Sequence, residues 1–141
     1  MTDHRRVDGA DKLLRVLLPA HLAASLLHFS HNAQYLDSYP NLPHWITRPG
    51  VYGIWLAMST VGVLAWLSYE RRGTELGLIV LGLYAAFGMG GLLHYARAPV
   101  AAHTAAMNFT ILLESFTALA LLAATIAAGL RRRGLRGGPG G

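Results

Sequence analysis

The sequence predicts an all-α integral membrane four-helix bundle with both termini cytoplasmic and an 18-residue outer loop between helices 1 and 2. Three observations lead to it. Apolar residues make up 53% of the chain and charged residues only 13%, against about 25% charged in an average soluble domain. Charges are nearly absent from four runs, each close to the ~20 residues that cross a ~30 Å hydrocarbon core. Lysines and arginines in the flanks of these runs number four, one, two, one and four in chain order, an alternation that keeps both termini on the cytoplasmic side.

Helices are therefore expected over residues 13–31, 50–69, 75–95 and 99–130. Residues 1–12 form a cytoplasmic tail, residues 13–130 the four-transmembrane-helix domain and residues 131–141 a disordered basic tail. The net charge of +5 does not point to nucleic acid, because the basic residues gather at helix ends, where they set membrane orientation. With no cysteine there is no disulfide, thiolate nucleophile or Cys-ligated cluster, and any metal site must draw on other side chains. Arg5, Arg6, Lys12 and Arg15 ahead of an apolar run resemble a signal peptide, but no small-residue cleavage site follows, so the run is read as an uncleaved helix. The pattern suits a bacterial-type inner (plasma) membrane protein whose partners are the bilayer and either the subunits of a membrane complex or further copies of itself.

On the first helix, His21, Ser25, His28 and Asn32 follow the i, i+4, i+7, i+11 spacing of one helical face, while His31 is rotated off it. Pro19 sits about one turn in, where a kink is expected. Residues 32–49 contain three prolines that break the helix, and Tyr35, Tyr39 and Trp45 read as an interfacial aromatic belt over the outer mouth. Pro49 then suits the first position of the second helix, on which Tyr52, Trp55, Ser59, Gly62 and Trp66 share a large-and-small packing face. The third helix carries Gly77, Gly82, Gly88, Gly90 and Gly91, which permit close helix approach or a flat ligand beside the backbone. On the fourth, His103, Met107, Thr110 and Glu114 repeat the first helix's spacing, with Asn108 and Ser115 beside this stripe.

Depth follows from the helical rise of about 1.5 Å per residue. His28 lies roughly 20 Å beyond Arg15, about 10 Å below the outer edge of a ~30 Å core. His94 and His103 flank the tight turn at Arg97 and Pro99, so they return to the same layer. His21 and Glu114 fall near mid-membrane and are expected to face each other. A charged group there costs on the order of 2.5 to 3.5 kcal/mol, so Glu114 needs a partner, a proton or a cavity.

A single histidine needs no more than a hydrogen bond to explain it. Three helices presenting imidazoles to one layer suggest a transition-metal site of His28, His94 and His103 with His31 as a further ligand, oriented by Asn32, Asn108 and His21. Copper, iron and zinc are not distinguished by these residues. An open coordination position would make the protein a metal-dependent oxidoreductase with Glu114 as proton relay. The alternative cofactor is haem b, held by His28 with His94 or His103, with Gly88, Gly90 and Gly91 leaving room for the porphyrin and Arg48 or Arg97 meeting its propionates. In architecture alone this resembles the cytochrome b-type anchor subunits. A third reading is a non-catalytic membrane subunit or a small proton- or ion-coupled transporter using His21 and Glu114.

Overall fold

A computed structural model describes residues 9–136 of the chain. The described residues form helices only: α1 (Gly9–Gln34), α2 (Arg48–Arg72), α3 (Glu75–Phe87), α4 (Leu93–Arg97) and α5 (Ala105–Arg136), with short 3-10 turns at Leu36–Ser38, Gly88–Leu92 and Val100–Ala102. Four stretches are long and apolar enough to cross a membrane: Asp11–Gln34, Arg48–Arg72, Glu75–Arg97 and Ala105–Gly134. The chain is thus built as an integral membrane protein.

The helix ends follow from local chemistry. The Thr47 hydroxyl accepts the Gly50 N–H and Pro49 occupies the first turn of α2, where its missing N–H costs nothing. That helix stops at Gly73, whose φ of 63° lies in the left-handed region and whose N–H closes onto the Tyr69 carbonyl. Thr74 caps α3 by accepting from Gly77 N. Pro19 lies on the exposed side of α1, which runs through it as one helix rather than restarting.

Three expected boundaries differ. The third span is a composite, since Gly88–Leu92 tightens to 3-10 geometry between α3 and α4. The last helix begins at Ala105, leaving His103 in the preceding turn. It also runs on to Arg136, so residues 131–136 extend the helix instead of opening a disordered tail, and residues 9–12 already belong to α1. The remaining parts of both expected tails, residues 1–8 and 137–141, lie outside the described residues.

The start of α1, the end of α5 and the α2–α3 turn meet at one end of the bundle. There Arg15 pairs with Glu70 at 2.9 Å, the Tyr69 hydroxyl donates to Asp11, and Arg132 donates to the Gly73 carbonyl while lying 4.7 Å from the centre of the Tyr69 ring. Above this network Leu14, Leu18, Leu81, Ala85, Leu121 and Ala124 form a buried apolar core. Glycines set the helix approach: a Cβ on Gly62 would stand 2.6 Å from the Tyr84 ring, and one on Gly77 would stand 2.6 Å from the Tyr69 backbone nitrogen. Leu56, Leu64, Leu83 and Phe116 point outward, as lipid-facing side chains do.

Candidate functional site

The opposite end, which carries the 32–49 connection, buries polar side chains. His21, Ser25, His28, His94, His103, Thr110 and Glu114 are all buried. The single-face spacing on α1 sends His21, Ser25 and His28 inward, and Thr110 and Glu114 meet them from α5, the helix with the most extensive contact to α1. The Gly-rich 3-10 segment closes the third side. A Cβ on Gly88 would stand 2.5 Å from His21 Cε1, and one on Gly91 would stand 3.2 Å from Glu114 Oε2 and 3.5 Å from His28 Nε2. These hollows, which a porphyrin was expected to use, therefore hold protein side chains; the open glycine is Gly90, with nothing within 4 Å.

His28 is the centre of the arrangement. The Thr110 hydroxyl donates to the Met107 carbonyl, so it accepts from His28 Nδ1–H, at 3.4 Å. That leaves His28 Nε2 as a lone pair, which accepts from Asn32 Nδ2 at 3.0 Å and stands 3.6 Å from Glu114 Oε2. Glu114 Oε2 has no hydrogen-bond partner. Beside a nitrogen whose one lone pair Asn32 already occupies, Glu114 Oε2 is thus left as the unsatisfied acceptor in a site closed to solvent.

The other imidazoles continue from this pair in series. The His94 ring lies edge-on to His28 at 5.6 Å between centroids and to His103 at 6.2 Å. His94 Nδ1 is buried without a partner. His103 Nδ1 donates to the Pro99 carbonyl at 3.1 Å, which fixes its Nε2 as a second buried, unpartnered lone pair. Asn108 does not orient an imidazole. It accepts from the Tyr95 hydroxyl and donates to the Val100 and His103 carbonyls, holding the turn that carries His103. Among the described residues, no three His, Asp or Glu side chains stand close enough together to hold one ion in this arrangement.

Two expected site residues sit apart. His31 lies at the mouth, with Nδ1 at 2.8 Å from the Tyr39 hydroxyl and its ring against Tyr35. His21 is deeper and turns to α5, where its Nδ1 lies 3.1 Å from the Thr117 hydroxyl and its ring meets the Glu114 backbone, so the two expected to face each other do line one cavity. His21, Ser25, Trp55 and Glu114 line a cavity of about 30 Å³, enough for roughly one water-sized guest.

Tyr39 is the residue that sequence reasoning misplaced. Tyr35 and Trp45 are exposed as a belt requires, but Tyr39 is 3% exposed and its ring packs on His94 at 4.9 Å. Burial pushes its hydroxyl up to about 12, so it stays protonated and donates to His31. The connection folds it inward through Asn41, whose φ is 56° and whose side chain donates to the Arg97 carbonyl. The one signal in the sequence is the Pro40-Asn41 pair, which favours a turn there.

No family model, curated protein or solved structure matches this chain. What it does has to be argued from the site's own chemistry.

Proposed function

We propose that the loop end of this bundle binds one transition metal ion through His28 Nε2 and Glu114 Oε2, with His94 as the third ligand. The observation that carries the reading is the 3.6 Å separation of two buried atoms, His28 Nε2, held by the Asn32 amide alone, and Glu114 Oε2, which has no partner. Two ligand atoms at about 2.0–2.2 Å from a tetrahedral ion stand about 3.4 Å apart, so the pair is nearly at a ligand's bite. His94, in ring contact with His28 and with an unpartnered Nδ1, becomes the next donor only by turning its side chain toward the pair, since the three do not surround one point as they stand. Asn32 occupies the His28 lone pair in the metal-free site and gives it up to the ion, and His103 backs His94. His31 leaves the ligand set in this reading and lines the approach with Tyr39.

Two imidazoles and a carboxylate suit iron(II), zinc and copper(II) alike. An ion held this way with an open position supplies the Lewis-acid or redox chemistry of a metal-dependent oxidoreductase. The flanking charges support a site facing the outer side of a bacterial-type plasma membrane. Haem b is less well supported, because His21, Glu114 and His28 fill the glycine hollows. A proton or ion pathway is disfavoured by the apolar core that closes the other half of the bundle.

Elemental analysis and an absorption spectrum of protein purified without chelator test the reading. The expected result is about one iron, zinc or copper per chain, lowered at least about tenfold in His28→Ala and Glu114→Gln and unchanged in His44→Ala, a histidine exposed on the connecting loop. Protein that stays metal-free after loading with iron(II), zinc and copper(II) overturns it, and a Soret band replaces it with haem.

A further inference from the structure

We infer that the groove between α3 and α5, at the end of the bundle that gathers the basic residues, binds an anionic phospholipid, with an acyl chain in the groove and the phosphate on Arg133. The groove encloses about 270 Å³ between Leu78, Ile79 and Gly82 of α3 and Thr125, Ile126 and Leu130 of α5, and Arg133 completes its lining. It continues into a hollow of about 60 Å³ that shares Leu78, Ile79 and Arg133 with it and adds Arg132 and Glu75. The two form one track, apolar along its length and charged at its end. Ile126 lies about 10 Å below Arg133 by the helical rise, so the apolar part reaches into the hydrocarbon layer while the guanidinium stays at its edge.

Charge selects the occupant. Arg132 is committed to the fold, donating to the Gly73 carbonyl and lying against the Tyr69 ring. Arg133, one position on, is exposed and makes no ion pair or hydrogen bond among the described residues. Glu75 is the one carboxylate on the hollow and faces both arginines. Around it, residues 11–15, 70–75 and 131–136 carry eight lysines and arginines against three aspartates and glutamates, so this end attracts an anion over a zwitterion. The Thr125 hydroxyl already donates to the Leu121 carbonyl, and the rest of the groove offers apolar contact alone. The same charge opposes a second copy as the occupant. Copies in one membrane share an orientation, so a twofold contact here would set residues 131–133 against their own equivalents at one depth.

Gly129 lines both the groove and the hollow, and it differs from the glycines that draw helices together. A Cβ on Gly62 or Gly77 would collide at 2.6 Å, whereas nothing lies within 4 Å of one on Gly129. Its missing side chain leaves room beside Arg133. None of these residues lines the polar cavity at the loop end, so the groove is open to test whether or not a metal is bound there.

The test is titration of the full chain in detergent with dioleoyl-phosphatidylglycerol and with dioleoyl-phosphatidylcholine, read by native mass spectrometry as the affinity for the first lipid bound. Phosphatidylglycerol is expected to bind about 5-fold tighter, a preference that Arg133→Gln removes and that Arg71→Gln, which takes the same charge from the α2–α3 turn outside the groove, leaves in place. Gly129→Leu fills the groove from a position with open space around it, and weakens phosphatidylglycerol binding without lowering the thermal midpoint. Equal affinity for the two lipids overturns the inference in favour of an ordinary acyl chain. A loss in Arg71→Gln as large as in Arg133→Gln overturns it in favour of general surface charge, and equal affinity for glycerol 3-phosphate in favour of a soluble anion. Phosphatidylglycerol preference that survives both Arg133→Gln and Gly129→Leu overturns it outright, and so does a dimer that Gly129→Leu dissociates, which assigns the groove to a second copy.

Discussion

In the terminal half of the bundle, α1 and α5 meet through Leu14, Leu18, Leu121 and Ala124, side chains that ask nothing of their neighbours except close packing. In the loop half, the same two helices meet through His28, Thr110 and Glu114, and Glu114 Oε2 and, beside it, His94 Nδ1 and His103 Nε2 are buried without partners. The first half relies on shape; lipid tails are as apolar as leucine, so fit rather than exclusion from water holds membrane helices together. The second half retains acceptors that packing alone does not satisfy. That difference separates a scaffold from a site within one set of helices.

The largest effect falls on the scaffold. At Gly77 an added methyl meets the Tyr69 backbone nitrogen at 2.6 Å and the Ala65 carbonyl at 2.8 Å, atoms that cannot rotate away. Gly77→Ala is expected to cost about 3 kcal/mol, the upper end of overpacking, in thermal or denaturant unfolding in detergent, with metal per folded molecule unchanged. An unchanged midpoint would show that the α2–α3 approach is looser than these distances imply.

A smaller effect of opposite sign is expected at the site. Glu114→Leu converts the loop half toward the terminal half's chemistry by replacing a buried, half-satisfied carboxyl with an apolar group of similar size. Stability should rise by about 1–2 kcal/mol while metal binding is lost, because apolar replacements of buried ionic groups are often stabilising and functional sites are strained. A fall in stability on this substitution would mean that the carboxyl is fully paired within the protein.

How far the sequence reached follows the same division. Four membrane spans were legible because hydropathy and length act segment by segment, and the inward face of α1 because His21, Ser25 and His28 recur at helical spacing. The depth estimate put His28, His94 and His103 at one level, and their rings stand in contact in series. What the spacing did not carry was the register between helices: Glu114, matched to His21 by depth, does share a cavity with it, but its Oε2 also comes within 3.6 Å of His28. The 3-10 turn at Gly88–Leu92 was hidden because a run of glycines reads equally as close-packed helix. Tyr39 was hidden for a different reason: its inward turn depends on Asn41 reaching the Arg97 carbonyl, 56 residues away in sequence, a tertiary contact with no local pattern.

Tyr39 carries the smallest predicted effect and the one that isolates the loop half. Its hydroxyl, ordinarily at 10.0, is raised to about 12, chiefly by burial and further by the nearby Glu114 and Tyr95. A raised value means that the folded state holds the proton more tightly than the unfolded chain. The associated stability is therefore complete below pH 10 and is lost as the pH climbs from about 10 to about 12. Tyr39→Phe should remove that part of the alkaline decline and cost about 1 kcal/mol at neutral pH, the worth of its bond to His31. Unfolding midpoints of the two proteins measured from pH 8 to 12 should converge as pH rises. Parallel curves would place the Tyr39 hydroxyl in contact with water, and the lone pairs behind it would then have solvent to satisfy them without a metal.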